Sequence, residues 1–266
     1  MPTIFSKGAA SAQGFGFIAP QGGAVGTVGI FALGCNGSST STRNKYTYAC
    51  DTNGCATAAS AASFFGSAAG NSTRGIFALG YVGGGSTSTR NKYTYSGDIN
   101  GSATAASAAS YGGSAAGNST RGIFALGYVG VGGPSTTRNK YTYACDTNGC
   151  ATAASAAAYA GSAAGNSTRG IFALGYPGVA STTRNKYTYA CDTNGCATAA
   201  SAAAYVGSAA GNSTRGIFAL GCSGGAAATT RNKYTYACDT NGSAANASSG
   251  NREGSAASNG TTGVNV

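Results

Sequence analysis

The 266-residue sequence has no histidine and no tryptophan, a single methionine and only four prolines. The absence of histidine excludes histidine general bases, Ser-His-Asp and Cys-His nucleophile systems, and histidine metal sites. Charged residues make up 8% of the chain, whereas they are roughly a quarter of an average globular protein. A surface this poor in charge must be covered by hydroxyl groups, asparagine and glycine, or by another protein. The composition therefore favours a protein that is part of a larger assembly.

Two phrases recur five times with a period of 46 to 48 residues, and we number the repeats 1 to 5. A repeat of this length cannot bury its own faces and must stack on its neighbours. We therefore predict one repeat domain over residues 25–266, preceded by an N-terminal segment, residues 1–24, that supplies a closing strand or an attachment. A partial sixth repeat is predicted at 254–266, where GSAASNGTTGVNV aligns with GSAAGNSTRGIFA. The phrase GIFALG starts at Gly29, Gly75, Gly122, Gly170 and Gly216, and RNKYTY starts at Arg43, Arg90, Arg138, Arg184 and Arg231.

We predict four short strands in each repeat, namely SAAGN, RGIFAL, RNKYTYAC and GCATAAS. The second is apolar on both faces, which is typical of a strand between two layers. In the third, Tyr187 and Tyr189 share a face opposite Lys186 and Thr188, as in a half-buried strand. A-T-A-A-S-A-A-A-Y favours a strand or an extended link over a short helix, since it is short and interleaved with Ser and Thr. The fold class is therefore all-β: a β-propeller of five to six four-stranded blades, with a β-solenoid as the alternative.

Six of the nine cysteines form three copies of C-D-T-N-G-C, in which the D-T-N-G sequence is typical of a tight turn. We predict a disulfide within each copy, because repeat 2 lacks both cysteines together. For Cys35 and Cys222 two alternatives remain: a bridge between them, or two buried free thiols. Cys238 has no partner in its repeat. The predicted pairs are Cys50–Cys55, Cys145–Cys150 and Cys191–Cys196.

The charged residues predict neither catalysis nor nucleic-acid binding. The net charge of +10 comes from a few cations per repeat; they are spread evenly, so we expect solvated or locally bonded side chains and no basic patch. One Asp per repeat is expected to accept backbone N–H groups in its turn. Five such Asp do not provide the close carboxyl pair of a glycosidase. We predict no enzyme, no cofactor and no metal site.

The chain also gives signals about its setting and its contacts. It has no run of about 18 apolar residues that would span a membrane, and residues 1–19 make a poor signal peptide. Disulfides without such a signal predict a protein made in a cytoplasm and used outside a cell. The connector after GIFALG varies most between repeats. Its residues are the predicted binding loops: Tyr81, Val82, Tyr128, Val129, Tyr176 and Pro177.

The repeat resembles two known types. With GIFALG at the Gly-Gly strand and NKYTY at the Tyr strand it is similar to a kelch repeat, although Leu replaces the first Gly and the Trp of the next strand is absent. The pattern NKYTY…DT…AAGNSTRGIF also resembles glycine-rich repeats of tailed-bacteriophage proteins, notably those of cyanophages. Residues 6–17 (SKGAASAQGFGF) are similar to the N-terminus of such virion proteins.

The resemblance implies a virion location and a non-enzymatic structural role in the tail, fibre or baseplate. The alternatives are a module that binds a host-surface glycan or protein, and a capsid-surface decoration protein. Expected partners are other virion proteins in an oligomeric assembly.

Overall fold

The computed structural model describes residues 28–32, 35–36, 38–48, 50–250, 256–258 and 263–265. Within these residues the chain is all-β, with no α-helix and one 3-10 turn at Gly130–Gly132. The all-β prediction is therefore confirmed. The predicted strand at 14–19 and most of residues 254–266 lie outside the described residues. None of the described residues forms a helix long and apolar enough to cross a membrane.

The strands run in chain order through the repeats. In repeats 1 and 2 they are β1 (Val28–Ala32), β2 (Cys35–Asn36), β3 (Ser38–Ser39), β4 (Arg43–Thr47), β5 (Thr52–Ala56), β6 (Ser67–Gly70), β7 (Arg74–Ala78), β8 (Tyr81–Val82), β9 (Gly85–Ser86), β10 (Arg90–Thr94) and β11 (Ile99–Ala103). In repeats 3 and 4 they are β12 (Ser110–Tyr111), β13 (Ser114–Gly117), β14 (Arg121–Ala125), β15 (Tyr128–Val129), β16 (Gly133–Pro134), β17 (Arg138–Thr142), β18 (Thr147–Ala151), β19 (Ser162–Gly165), β20 (Arg169–Ala173), β21 (Arg184–Thr188) and β22 (Thr193–Ala197). The remainder are β23 (Ser208–Gly211), β24 (Arg215–Ala219), β25 (Cys222–Ser223), β26 (Ala226–Ala227), β27 (Arg231–Thr235), β28 (Thr240–Ala244), β29 (Ala256–Ser258) and β30 (Gly263–Asn265).

Repeats 2 to 5 each form one four-stranded antiparallel sheet whose four strands lie in the order in which they occur along the chain. In repeat 4 the order is β19-β20-β21-β22, and the described part of repeat 1 contributes the three-stranded sheet β1-β4-β5. The first strands of successive repeats, β6, β13, β19 and β23, contact one another. At the C-terminal end, β29 pairs with β30, and β29 contacts both β23 and β1.

The apolar core is divided among the junctions between successive repeats. At the junction of repeats 3 and 4, Ile123 of one sheet packs with Phe172, Tyr187 and Tyr189 of the next. Equivalent clusters lie at the other three junctions of repeats 1 to 5. Because Ile faces the following repeat and Phe the preceding one, the second strand is buried on both faces, as predicted.

Small residues allow this close packing. A Cβ atom on Gly170 would lie 2.9 Å from the hydroxyl of Tyr189 and 3.1 Å from Cβ of Ala116 in the preceding repeat. Gly165, directly opposite Gly170 in the neighbouring strand, meets the same hydroxyl. The paired glycines thus leave room for a tyrosine that spans three strands.

The turn between the third and fourth strands lies earlier than predicted. In repeat 3 it covers residues 143–146, while Thr147, Asn148 and Gly149 already belong to β18. Asp146 ends the turn with a left-handed φ of 51°, which Asp tolerates better than most residues. After the fourth strand the chain continues without a helix, as an extended link.

This shift makes the predicted disulfides wrong. Cys145 lies in the turn, whereas Cys150 lies opposite Asn139, three residues along the strand from the Thr142–Thr147 pair at the turn. Three strand residues span about 10 Å, and bridged cysteines have Cα atoms less than about 7 Å apart. Cys222 is a buried free thiol, and the side chain of Cys35 lies outside the described residues. The exposed free thiols are Cys50, Cys55, Cys145, Cys150, Cys191, Cys196 and Cys238.

Candidate functional site

A buried arginine links each of repeats 1 to 4 to the repeat that follows it. Arg138, at the start of β17, is 1% exposed and donates from its two terminal nitrogens to Asn194 Oδ1 at 2.7 Å and Asn185 Oδ1 at 3.0 Å. Its guanidinium lies 4.5 Å from the ring centre of Phe172. Arg43, Arg90 and Arg184 repeat this arrangement. These arginines were expected to be solvated or locally bonded, but the next sheet covers the face on which they lie.

The turn aspartates form a second set of junction contacts. Lys140 Nζ lies 2.7 Å from Asp192 Oδ2 of the next repeat, and the backbone N–H of Thr152 donates to Asp192 Oδ1 at 2.9 Å. Tyr187 donates its hydroxyl to the same carboxylate. Partial burial raises the pKa of Asp192, but the bonds from Lys140, Tyr187 and Thr152 outweigh it and hold this pKa well below its usual value. The predicted backbone N–H contact is therefore present, but it comes from the neighbouring repeat.

The aspartates and the arginines that begin the second strands lie at one end of the sheets, which we call the turn end. Arg121, Arg169 and their equivalents begin the second strands there, and the aspartates follow the third strands. The opposite end, which we call the ladder end, is formed by the connectors after the second and fourth strands. From residue 57 to 230 these connectors contain no Asp, Glu, Lys or Arg.

Aromatic rings form a continuous ladder across the ladder end. Neighbouring rings have centroids 5.0–5.6 Å apart along the series Phe64, Tyr81, Tyr111, Tyr128, Tyr159, Tyr176 and Tyr205. Phe64 and the six tyrosines are all half-buried, so part of each side chain is accessible to solvent. Burial raises the pKa of Tyr111, with a further contribution from Tyr128 and Tyr159 nearby.

Backbone pairing builds the ladder from two connectors per repeat. Tyr111, before the first strand, pairs across an antiparallel bridge with Tyr128, after the second. Gly127 turns the chain into this pair with a φ of 77°, and a Cβ atom there would lie 2.5 Å from the carbonyl oxygen of Tyr111. Between repeats, the N–H of Ala160 donates to the carbonyl of Gly112, and that of Val206 to Ala160. Backbone hydrogen bonds therefore hold the aromatic residues of the ladder, which we call its rungs, in place both within a repeat and between repeats.

The predicted binding residues are only partly brought together. Tyr81, Tyr128 and Tyr176 are ladder rungs, whereas Val82 and Val129 are half-buried beside them and Pro177 is exposed. The connector tips carry other exposed apolar side chains, Val131 and Val179. The sequence reasoning missed the rungs that end the A-T-A-A-S runs. Their signal was present, because an aromatic recurs there with the repeat period at Phe64, Tyr111, Tyr159 and Tyr205.

Two small pockets open at the ladder end between repeats. The pocket between repeats 3 and 4 has a volume of about 20 Å³ and is lined by Arg138, Ser135, Phe172 and Tyr159. Its counterpart between repeats 4 and 5 has the same volume and is lined by Arg184, Ser181, Phe218 and Tyr205. Each of these two pockets thus has a junction arginine and a ladder tyrosine in its lining.

The arrangement offers no catalytic set among the described residues. The aspartates belong to different repeats and are engaged in junction contacts. No group of three or more His, Cys, Asp or Glu side chains that could hold a metal ion occurs in the described part of the chain.

Comparisons with known proteins give a fold and no family. No protein-family model and no curated protein matches the sequence. The structure is similar to a solved structure described as "Structure of YjhT", with a TM-score of 0.70 and 10% sequence identity. The match covers 97% of this chain and 88% of that chain. At this identity the similarity concerns the fold alone.

Proposed function

We propose that this chain is a non-enzymatic binding protein whose ladder end holds a surface carbohydrate. The observation that carries the proposal is the ladder itself: seven rings in series, six of them half-exposed tyrosines. Aromatic side chains at a surface offer an apolar face together with a polar tip. Contiguous exposed apolar groups of this kind mark interaction sites.

A carbohydrate fits this surface better than a folded protein does. Sugar rings have apolar C–H faces that pack on aromatic rings, and hydroxyls that bond to Tyr, Ser and Thr. The connectors around the ladder supply Ser, Thr and Gly and no charged side chain. A protein interface would be expected to have a buried apolar centre with large anchors, whereas these rings are spread evenly over four repeats.

A glycan array tests the proposal. The wild-type protein should bind a set of extended glycans, and the double variant Tyr111→Ala/Tyr159→Ala should lose at least tenfold in affinity. The control is Arg215→Ala, which removes an exposed cation at the turn end and should leave binding unchanged. Circular dichroism must show the same strand content in all three proteins. If the wild-type protein binds no glycan on the array, or if the double variant binds as tightly as the wild type, the carbohydrate proposal is rejected.

For the architecture we propose a six-bladed, kelch-like β-propeller in which β29 and β30 begin the sixth blade. Support comes from the contacts of β29 with β23 of repeat 5 and with β1 of repeat 1. Removing residues 254–266 should then lower the melting temperature of the whole domain. An unchanged melting curve would argue against closure by this segment and for the open solenoid.

The setting on a tailed-phage virion, with other virion proteins as partners, stays a prediction that rests on the repeat resemblance. An antibody against the ladder end, used in electron microscopy of purified particles, would test it. Labelling at the tail or baseplate is the expected result, and labelling over the capsid would indicate a decoration protein. Particles that contain no copy of the chain would refute the assignment.

A further inference from the structure

The guanidinium group of Arg138 is a buried cation whose charge no nearby acid balances. Both of its hydrogen-bond partners, Asn185 and Asn194, are neutral. Its Nε–H is buried and has no acceptor within the described residues. Burial lowers the pKa of Arg138 to about 10, so the group remains a cation at neutral pH. A buried charge without a counter-charge is costly, and a donor left unpaired adds to that cost.

The pocket beside this cation contains a second donor. Ser135 Oγ accepts the N–H of Thr137 at 2.9 Å, and its own hydroxyl proton has no acceptor among the described residues. In repeats 1 and 2 a threonine takes this position, and its hydroxyl already donates a hydrogen bond: Thr40 donates to Thr42, and Thr87 donates to Thr89. The serine of repeats 3 and 4 is therefore both smaller and free to donate into the pocket.

The pocket has the size and surroundings for one small ion. Its volume of about 20 Å³ exceeds the 10–15 Å³ that a single water-sized occupant needs. Its lining includes no Asp or Glu, so no carboxylate in the lining repels a negative charge. The counterpart pocket repeats the set with Arg184, whose Nε is also unpartnered, and Ser181.

We infer that these two pockets are binding sites for a small monovalent anion, held by the Nε–H of the buried arginine and the hydroxyl of the serine. The anion is either free halide or the carboxylate of a sugar lying over the neighbouring tyrosine. Both sources share one chemistry, a compact negative charge that accepts two hydrogen bonds. The inference does not depend on carbohydrate binding by the ladder.

Bromide, which scatters anomalously, is the probe for a test on crystals of the full chain. The wild-type protein should show one bromide peak within hydrogen-bond distance of each arginine Nε. The matched variant Ser135→Thr/Ser181→Thr installs the residue of repeats 1 and 2 and should show neither peak, with an unchanged melting temperature. Absence of both peaks from the wild-type protein, or their survival in the variant, would overturn the inference.

A solution experiment covers the case in which crystals do not form, and separates the two sources of anion. The protein should broaden the chlorine-35 resonance of chloride, and the double variant should not; equal broadening by both would also overturn the inference. Displacement of the chloride by sodium glucuronate would assign the pockets to a sugar carboxylate. Persistence of the broadening would assign them to free halide. Neither result affects the test of carbohydrate binding by the aromatic ladder, which the glycan array measures separately.

Discussion

The junction arginine can be tested within one chain, because the same residue occurs with and without its partners. Arg138 makes two hydrogen bonds to asparagine oxygens and stacks on Phe172. Arg231 begins the same strand in repeat 5, where none of the described residues provides the asparagine pair or the phenylalanine; its side chain is half-buried, whereas Arg138 is 1% exposed. Replacing each by alanine therefore compares an engaged guanidinium with an unengaged one.

The expected loss follows from the contacts. Two hydrogen bonds to a charged donor contribute about 1.5–3 kcal/mol each, and the stacked cation adds about 1–2 kcal/mol. Removing a buried charge returns part of this, since its desolvation costs several kcal/mol. Arg138→Ala should therefore lower the free energy of unfolding by about 3 kcal/mol, and Arg231→Ala by under about 1 kcal/mol, as for most surface changes. Arg138→Met, which keeps the volume, should lie between the two.

Urea denaturation followed by tyrosine fluorescence and far-ultraviolet circular dichroism measures these differences, since the chain has sixteen tyrosines and no tryptophan. Coincident transitions by the two probes are needed, because repeat arrays can lose cooperativity. Equal losses for Arg138→Ala and Arg231→Ala would refute the reasoning, as would a neutral Arg138→Ala. The first outcome would mean that the arginine acts within its own sheet and not across the junction.

Three further changes test other parts of the junctions. Asp192→Asn should weaken the loss of folding stability at acid pH. The folded-state pKa of Asp192 is lowered, so its contribution to stability is present above the unfolded pKa of about 3.9 and is lost as pH falls towards the folded pKa. Urea midpoints from pH 2 to 7 measure this contribution, and parallel curves for variant and wild type would contradict it. Val206→Gly should raise the unfolding free energy by about 0.5–1 kcal/mol, because Val206 has a φ of 49° where repeat 3 has Gly112. A lower melting temperature would count against this. Gly170→Ala should cost about 1–3 kcal/mol by pushing a methyl group against the Tyr189 hydroxyl, and an unchanged urea midpoint would speak against that packing.

Strand patterning was predictable because it depends on residues within one repeat. Apolar alternation in RGIFA showed that both faces are buried, and the structure places Ile171 and Phe172 on opposite sides at 0% and 1% exposure. The extended link after the fourth strand also follows from local composition. These features need no knowledge of which surfaces meet.

The junction contacts were not predictable from the same patterns. Lys186 and Arg184 share a strand face that looks solvated in sequence, yet Arg184 is buried because the next sheet covers it. The turn was misplaced for a related reason: D-T-N-G has strong turn propensity, but Asp192 is held by groups of the preceding repeat, and T-N-G continues as a strand. The disulfide prediction failed with the turn.

The two ends of the sheets are under different chemical constraints. In the junctions Arg, Asn, Lys and Asp side chains contact a second repeat, and these residues recur in all five repeats. A change there needs a matching change across the junction, as the Arg138–Asn194 pair illustrates. At the ladder end the connectors meet mainly solvent, and they differ in length, in tip residues and in the choice of serine or threonine. The scaffold can therefore stay constant while the ladder and its pockets change, which is the arrangement that a binding surface requires.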